Sequence, residues 1–197
     1  MIHYFEQNTD EWQAVRLGKL TASNASQIRV NGKGLETLCL KLALEKITGK
    51  PQDKYEGNEH TERGHELEEI AVTVYEMEHE NTQKVGFVEL DEYTGCSPDR
   101  LVGDDGLLEI KCPSDKVMFE YLLKIKDPLK EYNDQIQMQM YVTDRKWCDL
   151  FLFNEELGTK RIRVERDEET IKKLKEGIKK GKSLINQYIE QYETNRI

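Results

Sequence analysis

The chain has 197 residues, of which 37% are hydrophobic and 34% charged, with a formal net charge of −9 at pH 7. Its apolar residues recur in periodic blocks between turn signals, which excludes a disordered chain and suits one soluble domain that buries about two-thirds of its unfolded surface. No apolar run approaches the ~20 residues of a membrane span, and the start MIHYFEQNTDEW has neither the basic nor the apolar region of a signal peptide, so a cytoplasmic location is expected.

Thr9 predicts the cap of a short helix through Trp12 and Arg16 that stops at Gly18, and Thr21 or Ser23 the cap of another. LETLCLKLALEKITGKP spaces Leu35, Leu38 and Leu42 as a helix, with Gly49 and Pro51 as its stop. A second helix is expected from about Glu59 to Glu80. The period then changes: QKVGFVEL, TGCSPDRLV and LLEIKC read as three successive strands joined by the DEY and GDDG turns. Helices over VMFEYLLKI and KEYNDQIQMQMYVT come next, then strands WCDLFLFN and KRIRVER, and a long helix from about Glu168 to Tyr192. The expected architecture is a single α/β domain over 1–197, with a mixed central β-sheet flanked by helices.

Cys39, Cys96, Cys112 and Cys148 show no CxxC or histidine-paired spacing, so they predict neither a zinc site nor a disulfide framework and read as small buried hydrophobes. His3, His60, His65 and His79 form no ligand pattern. The acidic total does not exclude DNA, because Lys160–Lys182 carries ten Lys/Arg against five Asp/Glu.

The chemistry concentrates in LLEIKC. Strand alternation puts Leu107, Glu109 and Lys111 on one face, with the two charged residues ~6.6 Å apart along the strand. Burying them is costly without partners. The GDDG hairpin brings Asp99 of CSPDRL beside Glu109, and two such carboxylates repel unless a divalent cation with hard oxygen ligands turns the repulsion into binding. Alone, the pattern also reads as ordinary ion pairing, Asp99 with Arg100 and Glu109 with Lys111.

The pattern Pro-Asp, nine residues, Glu-x-Lys is the PD-(D/E)xK nuclease signature. Together RLGKLTAS, RGHELEEIAVTVY, GCSPDRL…LLEIKCP and YNDQIQMQMYVT resemble, in order and approximate spacing, the phage lambda-type exonucleases of the YqaJ-like viral recombinases. The resemblance covers roughly residues 10–165, with a C-terminal strand and helix over about 160–193. It implies a restriction-endonuclease-like core.

The resemblance also assigns roles. In RGHELEEIAVTVY, Leu67, Ile70, Ala71 and Val74 form an apolar face, while Glu66, Glu68 and Glu69 read from composition as a solvated acidic face. The resemblance singles out Glu68 as a metal ligand beside Asp99 and Glu109, with the backbone carbonyl of Ile110. One or two Mg²⁺ ions are implied, with Mn²⁺ able to substitute. Lys111 holds or helps deprotonate the attacking water, and Gln135 orients water or phosphate, with Gln137 as the fallback. Arg16 and Ser23, seven apart, are implied to hold the 5′-terminal phosphate of DNA. The last helix repeats Ile171, Leu174, Ile178, Gly181, Ile185, Tyr188 and Tyr192. It reads as packed on its own domain, its lysines otherwise touching DNA backbone or a neighbouring subunit.

The implied function is a Mg²⁺-dependent 5′→3′ exonuclease that degrades one strand of double-stranded DNA from its ends to 5′-mononucleotides. Its implied partners are DNA ends, a single-strand annealing protein and further copies of itself, a ring trimer being one such assembly. Its implied place is the cytoplasm, that of the bacterial host for a phage enzyme. The alternatives are another PD-(D/E)xK nuclease, such as an endonuclease or a RecB- or Cas4-like end-processing nuclease, and a non-catalytic DNA-end-binding module. The iron–sulfur nucleases need a C-terminal cysteine cluster, and the last cysteine here is Cys148.

Overall fold

The computed structural model describes residues 1–52 and 59–196, and for residues 59–66 the backbone alone. The N-terminal part holds strand β1 (Ile2–His3), helix α1 (Asp10–Arg16), strand β2 (Leu20–Thr21), a 3-10 turn (Ala22–Asn24), and helices α2 (Ala25–Val30), α3 (Lys33–Thr48) and α4 (Glu59–Glu78). Strands β3 (Thr82–Lys84), β4 (Phe87–Asp91), β5 (Thr94–Cys96), β6 (Arg100–Val102) and β7 (Gly106–Lys111) follow. The chain continues through α5 (Asp115–Leu122), α6 (Pro128–Thr143), β8 (Trp147–Asn154), β9 (Gly158–Glu165) and α7 (Glu168–Asn195).

The fold class is α/β as expected, but the strands form two sheets. One has the order β3-β6-β7-β8-β9 and the other β1-β4-β5-β2. The segments expected as three strands are therefore five. QKVGFVEL breaks at Val85–Gly86 and TGCSPDRLV at Ser97–Asp99, and each break carries the chain from one sheet to the other. Both breaks have a chemical cause. A Cβ on Gly86 would stand 2.2 Å from the carbonyl oxygen of Phe5, so only glycine lets the chains pass. Pro98 has no N–H for a ladder.

The five-stranded sheet is covered on both faces. In β7 and β8, Leu107, Cys148, Leu150 and Leu152 join one core, with Leu35, Ile136, Met138 and Leu174 from the helices. Leu108, Ile110, Phe151 and Phe153 alternate with them into a second core under Leu67, Ala71 and Tyr75 of α4. The side-chain period of two thus feeds two cores from the same strands. Strands β7 and β8 are parallel, and α5 and α6 make the crossover between them.

Several expectations change in detail. The apolar face of α4 is Leu67, Ala71, Val72 and Tyr75, whereas Ile70 is 48% exposed. Neither Thr21 nor Ser23 caps a helix through its side chain, because a 3-10 turn precedes α2 and the two hydroxyls bond each other. Helix α7 packs on its own domain, burying Ile171, Leu174, Ile178 and Ile185. It approaches α2 so closely that a Cβ on Gly177 would meet the carbonyl oxygen of Ile28 at 1.9 Å. No cysteine is disulfide-bonded; Cys39, Cys96 and Cys148 are buried and Cys112 is half-buried. Among the described residues no helix is long and apolar enough to cross a membrane.

Candidate active site

The register of one hairpin builds the centre of the site. Arg100 pairs with Leu108 across β6 and β7, so Asp99, one residue before β6, falls opposite Glu109. The backbone N–H of Ile110 donates to Oδ2 of Asp99 at 2.6 Å. Glu109 is 1% exposed and sits among hydrogen-bond donors. Its Oε1 accepts from Lys111 Nζ at 2.5 Å and from Gln135 Nε2 at 2.6 Å, and its Oε2 accepts from Gln139 Nε2 at 2.7 Å. The two glutamines lie one turn apart on α6 and therefore face the same strand together.

Helix α4 supplies Glu68 from the side. Arg100, whose side chain is 4% exposed, donates to Glu68 Oε1 at 3.4 Å and to Glu69 Oε2 at 2.8 Å, and its NH1 also reaches the backbone oxygen of Asp99. The expected Asp99–Arg100 side-chain pair is thus replaced by a link between α4 and β6. Lys84 with Arg100 holds the Glu69 carboxyl below its usual range, as befits a structural ion pair. The side chains of Glu66, His60 and His65 lie outside the described residues.

The electrostatics follow from this crowding. Burial, then Glu109, then Glu68 push the Asp99 carboxyl well above its usual range, against the opposing effects of Lys111 and the Ile110 N–H. Burial pulls the Lys111 ammonium down, but Glu109, Asp99 and Glu68 outweigh it and raise its pKa. Lys111 is therefore an ammonium at neutral pH. Its Nζ also lies 5.1 Å from the ring centroid of Tyr132 on α6.

The donor set fits a divalent cation. Three carboxylates with one carbonyl-bearing strand are hard oxygen donors of the kind Mg²⁺ takes, and the repulsion that raises Asp99 is what such a charge relieves. Among the described residues no three His, Cys, Asp or Glu side chains converge as a metal centre. The reason is visible: Asp99 is turned to the Ile110 N–H, Glu68 to Arg100, and Glu109 to the lysine and two amides.

Arg16 and Ser23 lie apart in their bonding. Arg16 closes α1, stacks over the Trp12 ring at 4.0 Å, and donates to Ser97 Oγ at 3.2 Å; Trp12 Nε1 donates to the same oxygen at 2.9 Å. Burial pulls the guanidinium down to about 10, partly offset by Cys96 and Glu45. Ser23 is exposed on the 3-10 turn, bonded to Thr21 Oγ at 3.0 Å. Gln137 is not at the site: it donates to the Glu165 carbonyl and accepts from the Asp167 N–H, fastening the start of α7.

Three residues at or beside the site escape a sequence reading. Gln139 was signalled only by its i+4 spacing from Gln135. Ser97 and Arg100 stood within CSPDRL, but the partners that define them come from α1 and α4, distant in sequence.

The YqaJ-like viral recombinase domain matches residues 11–146. The alkaline exonuclease LHK-Exo from Laribacter hongkongensis is 31% identical, covering 95% of this chain and 98% of its own, with a TM-score of 0.85. The same enzyme in complex with dAMP aligns over the same shares at 31% identity with a TM-score of 0.86. A phage-related exonuclease from Haemophilus somnus shares the fold at 17% identity and a TM-score of 0.66, over 91% of this chain and 96% of its own. No curated protein matches the chain.

Proposed function

The chain belongs to the YqaJ-like viral recombinase family, and from that premise we propose that it is a divalent-metal-dependent exonuclease that digests duplex DNA from its 5′ ends. The observation that carries the reading is Asp99 set beside Glu109, with Glu68 close enough to raise its carboxyl further. A non-catalytic module has no need of so costly a cluster. That a 31% identical exonuclease takes dAMP, a deoxynucleoside monophosphate, supports the product class.

Glu68, Asp99, Glu109 and the Ile110 carbonyl would hold Mg²⁺, or Mn²⁺ in its place, as one or two ions. A cation held there lowers the pKa of bound water and offsets charge on the phosphate oxygens. The residues themselves do the rest. Lys111, charged at neutral pH, faces the developing negative charge and holds the attacking water by donating to it. Gln135, half-buried, holds one oxygen of Glu109 and reaches the open side, where it orients water or phosphate. The water oxygen bonds to phosphorus as the bond to the 3′ oxygen breaks. The leaving oxygen takes a proton, and a 5′-mononucleotide departs while the remaining strand keeps a new 5′-phosphate.

Arg16 suits that terminal phosphate. It is a half-buried guanidinium held in place by Trp12 and Ser97, a fixed planar donor of the kind that suits an anion. Ser23 offers an exposed hydroxyl on the turn before α2 as a second donor. The reading extends to a homo-oligomer, a ring trimer being one form, and to an annealing protein that receives the 3′ single strand in the cytoplasm.

Linear duplex labelled separately at its 5′ and 3′ ends tests the polarity. Early release of labelled mononucleotide from the 5′ end alone is expected. Early release from the 3′ end, or cutting of circular duplex, would overturn it.

A further inference from the structure

We propose that Gln139 is a positioning residue that fixes the Glu109 carboxylate for cation binding. The inference rests on the reading of Glu109 as a metal ligand. Gln139 is 0% exposed, between Met138 and Met140, which are equally buried. A methionine of similar length would fill this place without a polar atom. The amide instead donates Nε2 to Glu109 Oε2 at 2.7 Å and leaves its own Oε1 without a hydrogen-bond partner. An unpaired buried oxygen is costly, so packing does not account for a glutamine here.

The bond to Glu109 does account for it. Oε1 of Glu109 is already held by Lys111 and Gln135, so Gln139 holds the second oxygen and fixes the plane of the carboxylate. A neutral amide does this without cancelling the negative charge a cation needs. The two amides also differ in freedom. Gln135 is half-buried and can yield its place to a ligand, while Gln139 is wholly enclosed and stays as the anchor. Because it is enclosed, Gln139 touches no DNA and acts only through Glu109.

The test is calorimetric titration of the full chain with Mn²⁺, without DNA, for wild type, Gln139→Met, Gln139→Leu and Glu109→Gln. The apolar variants should melt without metal at or above the wild-type temperature, since the unpaired oxygen is gone. Their Mn²⁺ affinity should fall about tenfold or more, the scale of losing a group that orients a ligand. Turnover on DNA should fall at limiting Mn²⁺, with KM for DNA within about twofold of wild type. A folded Gln139→Met or Gln139→Leu variant with wild-type Mn²⁺ affinity would overturn the role, and so would loss of folding in both, which would make the amide a structural need. Unchanged Mn²⁺ affinity in Glu109→Gln would instead defeat the metal reading beneath it.

Discussion

The Ile110 N–H donates to Asp99 Oδ2 at 2.6 Å, joining a carboxylate that precedes one strand to the backbone of the next. This bond fixes Asp99 beside Glu109, and burial, then the neighbouring charge, raises the Asp99 carboxyl. A carboxyl with a raised folded-state pKa keeps its proton in the folded protein after the unfolded chain has released it near pH 3.9. The metal-free protein therefore loses stability through Asp99 as pH rises from about 4 toward that raised value. Asp99→Asn retains an acceptor for Ile110 and removes the charge. Its melting temperature should gain on wild type across this window, by ~2–4 °C for about 1 kcal/mol. A gap that does not widen with pH would contradict the electrostatic reading.

Lys111→Ala should lower turnover on DNA by about 10²–10³-fold, the scale of removing a donor aimed at developing charge. KM should change little, since in the proposed role the ammonium acts on the water and the transition state. A single-turnover and steady-state comparison checks this. Weaker binding with unchanged turnover would make Lys111 a phosphate anchor.

Arg16→Ala should remove most of the preference for 5′-phosphorylated over 5′-hydroxyl duplex ends while slow hydrolysis continues. The slope of log binding constant against log salt should become shallower by ~0.9 for the lost phosphate contact. Equal wild-type rates on the two kinds of end would defeat the pocket.

Gly177→Ala should destabilise the protein by about 1–3 kcal/mol, because the new methyl enters the Ile28 carbonyl of α2 and forces α7 outward. Chemical denaturation measures this. A wild-type midpoint would show that α7 shifts at no cost.

Local chemistry explains what could be read from the sequence. Asp99, Glu109 and Lys111 belong to one hairpin, so turn signals and strand alternation suffice to bring them together. The helices over Leu35–Leu42 and Ile171–Ile185 announce themselves by period. The division into two sheets was only half legible: the missing N–H of Pro98 is a local strand-end signal, whereas Gly86 breaks its strand against Phe5, a contact distant in sequence. Period also failed at Ile70, an apolar residue at a helical position that faces out. Arg100 looked like a neighbour for Asp99, but it pairs with α4, which local spacing cannot foretell. Helical spacing sets Gln139 beside Gln135, but only the packing of α6 shows that it is Gln139 that holds Glu109, while Gln137 fastens the start of α7.

The account rests on hydrolysis at the Asp99–Glu109 carboxylates, and the most direct measurement is release of acid-soluble nucleotide from linear duplex DNA by wild type and Glu109→Gln, each with Mg²⁺ and with Mg²⁺ chelated. Wild type with Mg²⁺ should digest the duplex to mononucleotides. Chelation should abolish release, and Glu109→Gln should reduce it by more than about 100-fold while melting as a folded protein and still binding DNA. Release that survives chelation, or a folded Glu109→Gln variant with wild-type activity, would contradict it.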